Sequence, residues 1–498
     1  MRGAAWTVLT SVSSRTVGLA GTLLLTRFLD PDTYGEVSLA AIVITTATTF
    51  SNCGLSQYLV SKPDAGRAAA FHATFYFTLL GLVALGVVLA LGRPIGVLVN
   101  ATGIDRYLPG LAFAAVLERV GTVQDRILVR DMRFRAVGLL RSVGEVVFSG
   151  VSVTLAATGA GAWWGGGNAV VVASIARSVV RLVTLSTVTP RREWLEPCRI
   201  TWTKTRELFA FGLPMSVATL AGFGSRRWDN LVFSHHFGQG AAGIYNLAYN
   251  LADIPATQIG ETIGDVLVPS FAKMESGARR KSALMLSLRQ MMLLIAPLAF
   301  GLGAVAPALT ATFLDRRWAG IETEMVILSV LSAVRPLGWI GSSYLQVENR
   351  PRAIMILESL KTVTVVLGMH LLAGWAPRSI ATGEHWACVA VGLAFGLNTL
   401  SYMGLLRKKD GIPLRAQLAE LAPPVLACGP MVLAVVAFEH AFAGAAAPGV
   451  RLAAEVVLGG LVFVPSALVL APRTAREFLG LLATAVQRRR GEAEAAVS

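Results

Sequence analysis

Residues 25–40 read LTRFLDPDTYGEVSLA, and residues 233–248 read FSHHFGQGAAGIYNLA. A shift of 208 positions lays Gly35 on Gly243, Leu39 on Leu247 and Ala40 on Ala248. In both copies an apolar run ends, a short turn follows and a second apolar run begins, so the identities fall in one structural setting. Apolar runs of about 17 to 25 residues, long enough to cross a bilayer, recur along the whole chain. They lie near 4–26, 36–60, 70–91, 107–129, 136–158, 164–187, 207–233, 241–268, 284–313, 322–346, 353–374, 384–405, 418–440 and 449–471. The two copies stand six runs apart, an even number, so runs 1 to 6 and 7 to 12 form halves of the same orientation, related by an axis along the membrane normal. Duplicated halves with a substrate site between them are a transporter architecture. The expected fold is an all-α integral membrane protein of about 14 transmembrane helices. It comprises an N-terminal lobe (1–206), a C-terminal lobe (207–417), two extra helices (418–471) and a basic tail (472–498).

Composition agrees. Of 498 residues, 54% are hydrophobic and 15% charged, with mean hydropathy +0.61, against roughly 45–50% apolar and 25% charged in soluble domains. The first run, at about 23 residues, exceeds the 7 to 15 of a signal-peptide core and reads as a retained helix. Lys and Arg gather in cytoplasmic loops. With the N-terminus inside, the inward segments carry 26 of them and the outward loops seven, Arg27, Arg93, Arg106, Arg316, Arg317, Arg378 and Arg451. Both termini are therefore expected in the cytoplasm, and the +14 net charge reflects topology and anionic lipid rather than nucleic acid.

Cys53, Cys198, Cys388 and Cys428 are scattered without metal-ligand spacing, and the six histidines are dispersed. No Walker loop, GxSxG or HExxH occurs. Neither a cofactor nor a catalytic site is expected, and the protein reads as a non-enzyme. Coupling to H+ or Na+ is the one small-ion role the carboxylates suggest.

An ionisable side chain at the bilayer centre costs roughly 2.5–3.5 kcal/mol even on the lenient scale, and so faces the bundle interior. In the eighth run Asn246, Asn250, Asp253, Thr257, Glu261 and Asp265 step by three or four along one helical face. The equivalent positions of the second run include Thr45, Thr49, Cys53 and Gln57. Glu118, Arg119, Asp125 and Arg126 form a charged face on the fourth run, either a cavity wall or an interhelix salt-bridge network. Arg15 lies in the first run and Arg226 and Arg227 in the seventh, in GFGSRRWDNLVF (222–233). Arg226 maps by the repeat to position 18, three residues from Arg15. The guanidinium fork suits phosphate. Arg226 equally well pairs with Asp229 on its own helix, and both readings stand.

LLLTRFLDPDTYGEVSLA, LVRDMRFRAVGLLRS followed by GAGAW, and RRWDNLVFSHHFGQGAAGIYNLAYNLADIPATQIGETIGDVLVPSFAKM resemble the polysaccharide transporter branch, the Wzx-type O-antigen and exopolysaccharide flippases, of the multidrug/oligosaccharidyl-lipid/polysaccharide flippase superfamily. The resemblance covers about residues 3–410 and is most specific over 225–274. It implies two six-helix lobes around a cationic cavity. It also implies transfer of an undecaprenyl-diphosphate-linked oligosaccharide from the cytoplasmic to the periplasmic leaflet of the bacterial inner membrane, by alternating access. On that reading Arg15, Arg226 and Arg227 meet the diphosphate and the polar stripes meet sugar or ion. A polysaccharide polymerase and a chain-length regulator become the expected protein partners. The alternatives are a MATE-like cation-coupled drug exporter, which the arginines oppose, a peptidoglycan lipid II flippase, and a scaffold, which lacks the cytoplasmic domain it would need. His235 and His236 depart from the small residues usual in that turn.

Overall fold

The computed structural model describes residues 16–55, 66–131, 133–159, 165–189, 198–272, 274, 277–375, 382–442 and 446–480, with the backbone alone at 66, 67, 130, 134, 135, 211, 214, 215, 218, 258, 259, 261–266, 268 and 269. Arg15, Gln57 and the side chains of Glu261 and Asp265 fall outside the description. Every expected apolar run is at least partly a helix: α1 Thr16–Leu25, α2 Pro31–Phe50, α3 Gly66–Ala90, α4 Leu108–Arg130, α5 Phe134–Thr158 and α6 Gly167–Val188. One stretch, Trp202–Ala272, holds α7 (202–237) and α8 (239–272), separated only by Gly238 at φ 85. There follow α9 Ala278–Ala304, α10 Ile321–Val347, α11 Pro351–Trp375, α12 Gly383–Asp410, α13 Leu414–Phe442 and α14 Pro448–Leu470. The described residues contain no strand, and nine helices are long and apolar enough to cross a membrane. The chain is an all-α, multi-pass membrane protein.

Local chemistry explains the helix ends. Asp30 caps α2, its Oδ1 accepting from Thr33 N at 2.7 Å, and Pro31 occupies the first turn, where its missing N–H costs nothing. Position 238, equivalent to 30, is a glycine, and its positive φ turns α7 into α8 within a single residue. The turn expected across 234–240 is thus far tighter than hydropathy suggests. Two short pieces, Gly92–Leu98 and the 3-10 turn Thr102–Arg106, fill the segment between α3 and α4. Pro336, which cannot donate a backbone hydrogen bond, follows a break in α10 at 333–334. Residues 472–480 are helical rather than a plain tail.

The chain forms two compact units. The first comprises Met1–Leu247, Phe313–Ala319 and Glu358–Ala387; the second comprises Ala248–Thr312, Gly320–Leu357 and Cys388–Ser498.

Within the first unit the repeat is visible as reciprocal contact. A Cβ on Gly35 would overlap the carbonyl oxygen of Gln239, and a Cβ on Gly243 would overlap that of Pro31. Pro31 and Gln239 are themselves 208 apart. Each added Cβ would also crowd the other glycine's nitrogen, at 3.1 and 3.0 Å. A contact in which i meets j′ and i′ meets j is the signature of a two-fold relation. Nearby, the equivalent helix ends are each held in turn. Trp318 Nε1 donates to Thr26 O at 3.0 Å and Arg317 Nη2 to Arg27 O at 2.7 Å. Ser234 and His235, the repeat equivalents of Thr26 and Arg27, bond Val99 O and Leu98 O, each at 2.6 Å. The end of α1 thus holds the connection between α9 and α10, and the end of α7 holds the connection between α3 and α4. Along α2 and α7 the packing continues through Trp228 Nε1 to Thr46 Oγ1 at 3.3 Å and through backbone approach of Gly54 to Gly212.

The second unit is cored by Leu284 and Met291 of α9, Ile340 and Tyr344 of α10, Tyr402 of α12 and Cys428 of α13. Its connecting segments are ion-paired: Arg280 with Glu348 at 2.5 Å, and Arg350 with Asp410 at 2.9 Å, where Tyr344 also donates at 3.2 Å. Arg289 meets Glu420 at 2.8 Å and also Glu477 of the 472–480 helix. The basic loops therefore serve packing as well as topology.

Gly35→Val and Gly243→Val are expected to cost about 1–3 kcal/mol each through overpacking, read as a lowered thermal transition of the purified protein. Gly460→Ala, where nothing lies within 4 Å of the new Cβ, is the control expected to leave it unchanged.

Candidate functional site

The first unit gathers most of the charges read from the sequence. Arg119 of α4 is buried and reaches across to two other helices. It donates to Phe77 O at 2.6 Å and Thr48 O at 2.5 Å, bonds Ser51 Oγ, and lies 4.5 Å over the Phe77 ring. It ties α2, α3 and α4 through uncharged oxygens. Its helix neighbours form the interhelix network that was one of the two readings of this face. Arg181 of α6 bridges Glu118 at 3.0 Å and Asp125 at 3.4 Å, while Arg177 holds Glu145 at 3.5 Å and lies 4.8 Å over Phe148. On α2, Thr45 is exposed, its hydroxyl on Ala41 O at 2.7 Å, and Thr49 is half-buried.

On α7 the arginines and the aspartate part company. Arg226 Nε donates to Gly222 O at 3.2 Å, and Arg227 is half-buried beside it. Asp229, fully buried, accepts Tyr245 Oη at 2.7 Å on one oxygen, and on the other the Asn230 backbone and side-chain N–H groups, each at 2.9 Å. Asn230 in turn accepts from Asn246 at 2.7 Å. Asn246 and Asp229 are thus joined in one buried network that locks the second turn of α8 onto α7. Tyr245, stacked on Phe233 at 4.3 Å, completes it. Sequence spacing sees the i+3 neighbour Arg226, whereas the tyrosine lies sixteen residues away. Glu358 and Lys361 pair at 2.6 Å within α11, as their spacing suggests.

The turn histidines also have partners. His236 Nε2 lies 2.8 Å from His370 Nδ1. In such a bond one imidazole must accept, so at least one of the two rings is neutral.

In the second unit Asp253 pairs with Arg335 at 2.5 Å. The Arg335 guanidinium is sandwiched between Tyr249 at 4.4 Å and Phe395 at 4.6 Å, an arrangement that stabilises a desolvated cation. The break before Pro336 sets Arg335 at the start of the second segment of α10. Thr257 bonds Asp253 O at 2.9 Å along α8, and Asn250 is half-buried. The aromatic pair was not foreseen, although Tyr249 stands four residues before Asp253 on the same face.

The described residues contain no cluster of three or more His, Cys, Asp or Glu side chains able to hold a metal. What the arrangement offers is a set of fixed cations and hydrogen-bonding groups inside apolar helices.

Comparison with known proteins places this geometry. The family described as "Polysaccharide biosynthesis protein" matches residues 24–323. The chain is 24% identical over 470 residues to the succinoglycan biosynthesis transport protein ExoT of Rhizobium meliloti, covering 93% of this chain and 91% of that one. It is 22% identical to the lipopolysaccharide biosynthesis protein WzxC of Escherichia coli, covering 85% and 84%. The solved structure of the lipid II flippase MurJ in an inward closed conformation superposes with a TM-score of 0.72 at 10% identity, over 93% of this chain and 98% of that one. That likeness is one of fold.

Breaking a buried ion pair from one side costs about 3–5 kcal/mol. Asp253→Ala is expected to lose that much in unfolding measurements. Asp253→Ala combined with Arg335→Leu should lose less than the sum of the single variants; a strictly additive result would show that the pair does not act as a unit.

Proposed function

We infer the function from one premise: the chain belongs to the polysaccharide biosynthesis protein family. It is a membrane transporter, not an enzyme, and we propose that it flips an undecaprenyl-diphosphate-linked oligosaccharide from the cytoplasmic to the outer leaflet of a bacterial inner membrane, with both termini in the cytoplasm. The product would feed O-antigen, capsule or exopolysaccharide assembly, with a polymerase and a chain-length regulator as its neighbours in that process.

The observation that supports this substrate is the balance of interior charge. Among the described residues, Glu118 and Asp125 share Arg181, and Glu145, Asp253 and Glu358 each have an arginine or lysine of their own. Asp229 is satisfied by Tyr245 and Asn230. A cationic drug needs carboxylates that are not already compensated. An anionic headgroup needs arginines, and Arg226 and Arg227 supply them on α7, with Arg15 proposed to do so from the equivalent helix of the first half. A diphosphate held by guanidinium forks avoids the cost of an unpaired charge in hydrocarbon. Asn246, Asn250 and Thr257 suit the hydroxyl-rich glycan, Thr45 and Thr49 do the same from the first half, and the polyprenyl tail stays in lipid. Glu261, Asp265 and Gln57 belong to the same proposed lining.

Alternating access requires that one side close while the other admits substrate. The reciprocal contact of Gly35 and Gly243, and the contacts at the ends of α1 and α7, support such a closure. In the proposed topology they lie on the outer side.

In liposomes carrying a fluorescent undecaprenyl-diphosphate sugar, Arg226→Ala and Arg15→Ala are expected to lower the rate at least tenfold with folding retained. Unchanged rates in both would remove the diphosphate assignment. Collapsing the proton and sodium gradients together is expected to slow transport, and full activity without either gradient would count against ion coupling.

A further inference from the structure

The appended hairpin carries a charge cluster that the transport reading does not use. Glu439 lies in the last turn of α13, and Arg451 and Glu455 in the first two turns of α14. Arg451 Nε stands 3.0 Å from Glu439 Oε2 and 4.0 Å from Glu455 Oε1. Glu455 is 0% exposed, and neither of its oxygens receives a hydrogen bond. The other interior carboxylates described above have a donor or a cation at 3.5 Å or closer. Around this cluster Val305, Val432, Val435 and Leu452 form an apolar wall.

Two carboxylates face one guanidinium. Were both ionised, the site would carry a net negative charge with apolar walls, a state whose cost is relieved by taking up a proton. We propose that Glu439, Arg451 and Glu455 form a proton-binding site. A hydronium ion gives its proton to the Glu455 carboxylate, leaving water. The resulting acid O–H serves Glu439, which stays ionised as the partner of Arg451, and release is the reverse step. No other bond changes.

The remaining groups leave this assignment intact. His440, beside Glu439, is exposed and bonds Val436 O of its own helix at 2.8 Å. The segment that follows α9, with Val305 and the short helix Ala306–Phe313, contributes Val305 and the methyl of Thr312 beside the hairpin, neither of them charged. A sodium ion would need several oxygens and would sit beside Arg451, which already occupies the cation position. In the topology proposed above, the connection between α13 and α14 is outside. The site therefore exchanges with the outer compartment, from which a proton gradient delivers its protons.

Infrared spectroscopy of the full-length protein in liposomes tests this without any transport substrate. A neutral carboxylic-acid carbonyl band is expected near neutral pH, declining as the pH is raised. It should be lost in Glu455→Gln. It should also be lost in Glu439→Gln, because the remaining carboxylate then pairs alone with Arg451, and it should grow in Arg451→Gln, where two acids face each other without a cation. Should Glu455→Gln fail to fold, the opposite responses of the other two variants still decide. A band of equal size in wild type and all folded variants overturns the proposal, and so does one displaced by sodium at constant pH.

Discussion

At Gly35 and Gly243 two backbones meet with no side chain between them, and the pairing of repeated segments in the first unit depends on that absence. A methyl group on either glycine would strike the carbonyl of the residue that begins the opposite hairpin. Both glycines lie just past the turn that follows the first helix of each half, so their contact puts the two turns on one side of the membrane, as halves separated by an even number of helices allow. The neighbouring bonds, from Trp318 and Arg317 to the end of α1 and from Ser234 and His235 to Val99 and Leu98, hold equivalent helix ends to segments that are not in the same register of the repeat.

Charge breaks the symmetry that the backbone keeps. In each half an arginine of the fourth helix crosses to the second helix and stacks on an aromatic ring: Arg119 on Phe77, and Arg335 on Tyr249 and Phe395. The partners differ. Arg335 meets Asp253, whose equivalent in the first half is Thr45, so Arg119 instead takes the carbonyls of Phe77 and Thr48 and the hydroxyl of Ser51. An ion pair cancels its own field, whereas a guanidinium bound by neutral oxygens keeps its positive potential. The first half is therefore the more cationic at this level.

Much of this was legible in the sequence because hydrocarbon imposes a simple rule on helix length, and because the polar stripe of α8 keeps a three-to-four spacing. The repeat was legible from Gly35 and Gly243, which are identical because both must lack a Cβ. Pairing was not. Spacing within one helix suggests Arg226 for Asp229, yet Tyr245 and Asn230 hold it; it suggests Arg141 for Glu145, yet Arg177 lies 3.5 Å away. Partners from another helix can be thirty or eighty residues distant, and no periodicity encodes which faces meet. Hydropathy likewise averages over single residues, so it could not show that Gly238 alone makes the turn between α7 and α8, or that α10 breaks ahead of Pro336.

The strength of the closure at these helix ends suits a gate. Its four hydrogen bonds, from Ser234, His235, Arg317 and Trp318, go to backbone carbonyls. At a net value of about 0.5–1.5 kcal/mol for each of the three neutral donors and about 1.5–3 kcal/mol for the Arg317 guanidinium they contribute about 3–7.5 kcal/mol together. Moving a two-state equilibrium from 1:99 to 99:1 takes about 5.5 kcal/mol. A closure of this size can therefore be reversed by the differential binding of a single charged ligand, which a seam of buried ion pairs would resist. In the second unit such pairs, Arg280 with Glu348 and Arg350 with Asp410, join the connecting segments. On the alternating-access mechanism proposed above, bonds to carbonyls, which water can replace, suit the contact that would open, and paired charges suit one that would hold.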